Sequence, residues 1–140
     1  MRIAPPIVLL LDSGRVRNLW RDVEKSRKYT AMNELRSLAD LDQALAARKG
    51  RIVLYKHSTQ CGMCDGALEE IQEFLKSGGD AGAFYYLDLL AHRDVSNAIA
   101  QRLGVKHESP QAIVLDDGKV AAVLNHRAIR VPALEKALQG

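Results

Sequence analysis

Apolar positions recur along this chain in two rhythms, one of helical and one of strand period, and their order lays out most of the elements. Leu38, Leu41 and Leu45 fall on one helical face. Ser37-Leu38-Ala39-Asp40 opens that helix as a capping box with Asp in place of Glu, and Arg48-Lys49-Gly50 ends it. Arg51-Ile52-Val53-Leu54-Tyr55 is then an apolar run of strand length, and Ser58-Thr59-Gln60 is a short polar connection of the kind that caps a helix. In the helix that follows, Ala67, Leu68, Ile71, Phe74 and Leu75 share a face, Lys76 lies in the last turn, and Gly78-Gly79 stops it. Phe84-Tyr85-Tyr86-Leu87 is a second continuous apolar strand, the pattern of a sheet covered on both faces. Val95, Ala98, Ile99 and Leu103 form another helical stripe closed by Gly104.

Beyond residue 110 the pattern changes. Ala112 to Leu115 and Val120 to Leu124 are short strands joined across Asp116-Asp117-Gly118-Lys119, a hairpin signal, and Pro132 opens a final helix through Leu138. The predicted order is a parallel βαβ unit, a helix, then an antiparallel ββα unit. This is an α/β chain with a central mixed four-stranded sheet flanked by helices, in the order of the thioredoxin fold.

Cys61-Gly62-Met63-Cys64 falls where the first strand runs into its helix, and these are the chain's only cysteines. Two cysteines at this spacing make no disulfide scaffold, and on a βα unit they read as redox chemistry. Cys61 lies at the helix entrance and Cys64 one turn further in. Unpaired backbone N–H groups and the positive end of the helix dipole favour thiolate over thiol there, and the thiolate is the attacking species.

Length, charge and the N-terminal segment narrow the reading further. A chain of 140 residues with 47% hydrophobic content suits one domain with a real core. The net charge of +3 is not spread evenly, because residues 1–31 carry +4 and the rest −1, so a nucleic-acid footprint on the domain is unsupported. We expect residues 1–31 to be a dispensable extension, disordered or weakly helical, with Met32 as a candidate initiator and 32–140 as the domain. The rival is a basic arm that docks on a partner through Trp20. The apolar start is interrupted by Pro5-Pro6, has no small-residue cleavage site and is too short to span a bilayer, which points to a cytoplasmic protein without membrane association.

Lys56-His57-Ser58-Thr59-Gln60-Cys61, then Tyr86-Leu87-Asp88-Leu89, then His107-Glu108-Ser109-Pro110-Gln111 resemble the signatures of the YtxJ-type monothiol bacilliredoxin family, over roughly residues 32–140. The resemblance implies a thioredoxin fold and an enzyme that removes the small thiol bacillithiol from protein cysteines held in mixed disulfides. Bacillithiol, or another low-molecular-weight thiol, is then a co-substrate, S-thiolated client proteins are the partners, the protein is a monomer, and no cofactor is tightly bound. The usual family motif is C-P-I-S, whereas this chain has Cys61-Gly62-Met63-Cys64, so a second thiol replaces the serine.

Cys61 is the expected nucleophile and Cys64 the resolving thiol. Ser109 and Pro110 are the expected substrate-binding residues: read alone, Pro110 is a trans proline opening a strand, but the resemblance implies a cis bond that frees the Ser109 backbone to pair with an extended substrate. Lys56 and His57 are candidates for tuning the thiolate, with strand alternation allowing one of them to face the site readily. His107 and Glu108 shape the loop before Pro110, while His92 and His126 carry no signal. Three other readings remain: a general dithiol reductase, a metal site built from Cys61 and Cys64 with His57 and His107, and a redox-inert adaptor.

Overall fold

The structure is a computed structural model that describes residues 32–46 and 50–139. The expectations for residues 1–31 lie outside the described residues. Among the described residues nine strands and α-helices follow in order: β1 (Asn33–Glu34), α1 (Leu38–Ala46), β2 (Arg51–His57), α2 (Gly62–Lys76), β3 (Phe84–Asp88), α3 (Arg93–Leu103), β4 (Gln111–Asp116), β5 (Lys119–Asn125) and α4 (Val131–Gln139). The sheet order is β1-β3-β2-β4-β5. β1 and β2 both run parallel to β3, while β4 lies antiparallel to β2 and to β5.

The sheet therefore has five strands rather than four. The additional strand is only two residues long, Asn33 and Glu34 beside Tyr85 and Tyr86. Such a segment carries no periodicity, and tertiary bonds make it a strand: Asn33 Nδ2 donates to the Gly82 carbonyl at 2.8 Å, and the Leu35 N–H donates to Tyr86 O at 2.9 Å.

Local signals account for the remaining boundaries. Ser37 Oγ accepts from the Asp40 N–H at 3.1 Å, and the Asp40 carboxylate reaches one residue past the cap to accept from the Arg36 N–H at 2.8 Å, a variant of the capping box that opens α1. At the hairpin, Asp117 and Gly118 take φ of 50° and 83°, the left-handed pair that a tight two-residue turn demands.

Strand alternation distributes the side chains of β2 to two layers. Ile52 and Leu54 join Leu41 and Ala44 of α1, Val95 and Ile99 of α3, and Ile113 and Leu115 of β4 in one core. Val53, Tyr55 and His57 point the other way, towards α2, which packs beside α4. In that second layer Cys64, Ala67, Leu68 and Ile71 form the buried face of α2, and Phe74 meets Phe84 with ring centroids 5.8 Å apart. Burying Leu68 and Ile71 stabilises each contact by about 1.5–3 kcal/mol, which fixes the helix that carries the cysteines on the centre of the sheet.

Candidate active site

β2 is buried from Ile52 to His57, so it delivers the chain to the site from the middle of the sheet. A turn then redirects it: Ser58 Oγ accepts from the Gln60 N–H at 3.3 Å, and Ser58 O accepts from the Cys61 N–H at 3.3 Å. Cys61 follows in extended conformation, φ −127° and ψ 116°, as the N-cap of α2. Both thiols are free, Cys61 half-buried and Cys64 0% exposed.

The two sulfurs are shifted in opposite directions. The Cys61 thiol is held below its ordinary value, first by the backbone N–H of Cys64, then by the Cys64 thiol as a donor and by the N–H of Met63, against some burial and the carboxylate of Asp65. The backbone groups act through their field, because none of them makes a full capping hydrogen bond to the sulfur. Burial pushes Cys64 up, and its proximity to Cys61 adds to that, while Ser109 and the Ser58 N–H pull it back. Its Sγ accepts from the Ser58 N–H at 3.4 Å and lies 3.3 Å from Ser109 Oγ. Either atom can donate in that contact while Cys64 is a thiol, and the Ser109 hydroxyl becomes the donor once Cys64 is a thiolate. Cys61 can therefore ionise first, and Cys64 keeps its proton in a cradle of two donors suited to a later negative charge.

This ordering has a direct kinetic consequence. Alkylation of Cys61 by iodoacetamide is expected to rise with pH through an inflection below that of an ordinary free cysteine, with Cys64 reacting only at higher pH. Peptide mapping of the alkylated protein against pH checks this, and equal labelling of both thiols would contradict it.

The cis Ser109–Pro110 peptide bond brings Ser109 to Cys64, although 45 residues separate them in sequence. The Pro110 carbonyl accepts from the His126 N–H at 2.8 Å, and the Glu108 carboxylate meets His126 Nε2 at 3.1 Å. The loop before β4 and the turn after β5 are thus tied together beside the cysteines.

Lys56 requires a correction. It follows Tyr55 in the strand, so its side chain enters the opposite layer, where Nζ donates to Ser96 O at 3.1 Å and to His107 Nδ1 at 3.2 Å. It does not act on Cys61. It is 0% exposed, and burial pulls its pKa down to about 8. The unfolded value is about 10.4, so the buried ammonium costs stability below about pH 8, and that cost is relieved as pH rises towards 10.4. Relative to a Lys56→Met variant, the wild type is expected to gain stability across this window. Urea midpoints of both proteins at pH 7 and pH 10 measure the difference, and an unchanged gap would contradict it.

His57 does face the cysteine layer, but as a neutral ring. Burial lowers its pKa, against Asp65 and Asp88, so it adds no positive charge near pH 7. Its Nδ1 lies 2.9 Å from the Tyr55 hydroxyl, which donates to the Cys64 carbonyl at 3.0 Å. The tyrosine has one proton to give, and the carbonyl can only accept. His57 therefore carries its proton on Nδ1 and donates to Tyr55, leaving Nε2 turned to Asp65 at 4.0 Å. Burial, foremost, and then Cys64 raise the Tyr55 pKa, so the hydroxyl stays protonated.

Tyr55 and the Ser58 N–H are site residues that the sequence reading missed. Tyr55 shares a strand face with His57, two positions away, and that alternation is the one signal that could have marked it. The metal reading loses its fourth ligand, because His107 lies with Lys56 on the far side of the sheet. Among the described residues no three His, Cys, Asp or Glu side chains form a group that could hold a metal ion. No helix among them is long and apolar enough to cross a membrane.

Comparison with known proteins agrees with this geometry. A candidate oxidoreductase with a thioredoxin fold superposes with a TM-score of 0.70 at 31% identity, covering 79% of this chain and 96% of its own. Mitochondrial thioredoxin 3 from Saccharomyces cerevisiae, in its oxidised form, gives 0.62 at 20% identity, covering 80% of this chain and 97% of its own. Fasciola hepatica thioredoxin gives 0.61 at 20% identity, covering 77% and 97%. The last two share the fold alone. The family described as monothiol bacilliredoxin BrxC matches residues 33–134. With its cysteine pair at the head of α2 and a cis-proline beside it, this chain belongs to the monothiol bacilliredoxin family, thiol-disulfide oxidoreductases of thioredoxin fold.

Proposed function

We propose that the protein removes a low-molecular-weight thiol of the bacillithiol type from client proteins in a two-step exchange, using Cys61 as nucleophile and Cys64 as resolving thiol. The observation that carries this reading is the placement of two free thiols within one helical turn, Cys61 half-buried at the N-cap of α2 and Cys64 buried between the Ser58 N–H and the Ser109 hydroxyl. The Cys61 thiolate attacks the small-thiol sulfur of the mixed disulfide. A Cys61–small-thiol disulfide forms, and the client leaves as thiolate and takes up a proton. Cys64 then loses its proton and attacks the Cys61 sulfur, closing a Cys61–Cys64 disulfide and expelling the small thiol. One mixed disulfide has been reduced and two cysteines oxidised, so a separate dithiol reductant must restore the pair.

Ser58 N–H and the Ser109 hydroxyl stabilise the Cys64 thiolate that the second step needs, and Pro110 with Ser109 presents backbone to the client. The reaction needs no bound cofactor, and the reducing cytoplasm is its setting. The second thiol also favours a second reading, a general dithiol reductase of protein disulfides. Supplying a client protein as its bacillithiol, glutathione and cysteine adducts, beside a client with an internal disulfide, separates the two. De-thiolation of the adducts ahead of the internal disulfide is expected by mass spectrometry; preference for the internal disulfide would overturn the first reading.

A further inference from the structure

A cleft of about 580 Å³ lies between α2 and the turn that follows β5. Each wall includes a residue tied to the cysteine corner. Met63, between the two cysteines and 44% exposed, lines one wall. His126 lines the other, and its N–H is bonded to the Pro110 carbonyl. The volume is that of a small-molecule site.

Gly66 forms part of the α2 wall. It lies inside a regular helix, where glycine is less favourable than alanine, and it has no positive φ to require it. A Cβ at this position would meet nothing within 4 Å, so neighbouring atoms do not demand glycine either.

The charges around the cleft are of both signs. Arg130 is held near Glu70 at 4.0 Å and His126 by Glu108 at 3.1 Å. Arg127 and Glu69 both line the cleft, and neither makes a hydrogen bond or ion pair with a described residue. A ligand that satisfies both carries a carboxylate and an ammonium.

We infer that this cleft seats the small-thiol half of the mixed disulfide and selects a zwitterionic thiol, with its carboxylate on Arg127, its ammonium on Glu69 and its backbone against Gly66. The inference rests on the de-thiolation reading. In it the small thiol is the half that stays on Cys61 while the client leaves, so a seat beside Cys61 holds the group through both steps.

The test uses one single-cysteine reporter peptide carried as four mixed disulfides, with L-cysteine, cysteamine, 3-mercaptopropionate and 2-mercaptoethanol. These present both charges, the ammonium alone, the carboxylate alone and neither. Each charged group is expected to raise kcat/KM about threefold, as an exposed ion pair does, which places the cysteine adduct about tenfold above the 2-mercaptoethanol adduct. Arg127→Gln removes the carboxylate advantage only, and Glu69→Gln the ammonium advantage only. Gly66→Leu raises KM for all four while the melting temperature stays level or rises, because leucine is the better helix former. Equal exchange of all four adducts, or a KM that follows peptide sequence instead, overturns the cleft assignment alone. Failure to exchange any of them overturns the de-thiolation reading and this inference with it.

Discussion

A Cys61→Ser variant is expected to lose at least about 10³-fold in kcat/KM for a mixed disulfide, a barrier increase of about 4 kcal/mol or more. A hydroxyl stays protonated at neutral pH and does not displace a thiolate from a disulfide, so the first bond of the reaction cannot form. Cys64 cannot substitute, since it is fully buried and burial keeps its proton on. The fold should survive, because Cys61 caps α2 through its backbone and its side chain makes no capping hydrogen bond. Stopped-flow release of the client thiol, with circular dichroism as control, checks this. Exchange within tenfold of wild type would remove Cys61 from the reaction.

A Cys64→Ser variant is expected to stop one step later. Serine can take over the Ser58 N–H and the Ser109 contact that now hold the sulfur, and it is close to cysteine in size, so packing changes little. The attacking thiol of the second step is gone. Cys61 should therefore accumulate the small-thiol adduct at close to one per protein after a single turnover, and multiple turnover should slow by at least about tenfold unless free small thiol is supplied. Adduct mass identifies the thiol directly. A variant that turns over as fast as wild type without added thiol would leave Cys64 no part in resolution.

Most of the fold was legible because most of it is written in local patterns. The run from Arg51 to Tyr55, the face from Ala67 to Leu75 and the Asp117-Gly118 turn each specify their own conformation. β1 was not legible, since two residues become a strand only by pairing with Tyr85 and Tyr86. The site divides along the same line. Cys61 and Cys64 stood out by spacing and by their place at the head of a helix, whereas the Ser109–Pro110 pair entered through the family resemblance, its position alone favouring a trans proline.

What lay across the sheet was invisible. Alternation allowed at most one of Lys56 and His57 to face the cysteines, and choosing between them required knowing which layer α2 occupies. Tyr55 looked like an ordinary core residue, and only the packed structure shows its hydroxyl holding the first turn of α2 through the Cys64 carbonyl. The turn at His126 was passed over for a similar reason, since its partners, Glu108 and Pro110, lie in another loop.

The most direct test of the two-thiol account is the intact mass of wild-type protein after one equivalent of an S-thiolated client, quenched in acid and then alkylated under denaturing conditions. The account predicts a loss of two hydrogens, no small-thiol adduct and no alkylated cysteine, the signature of a Cys61–Cys64 disulfide. A small-thiol adduct that persists on Cys61 while Cys64 is alkylated would contradict it and make this enzyme a monothiol one.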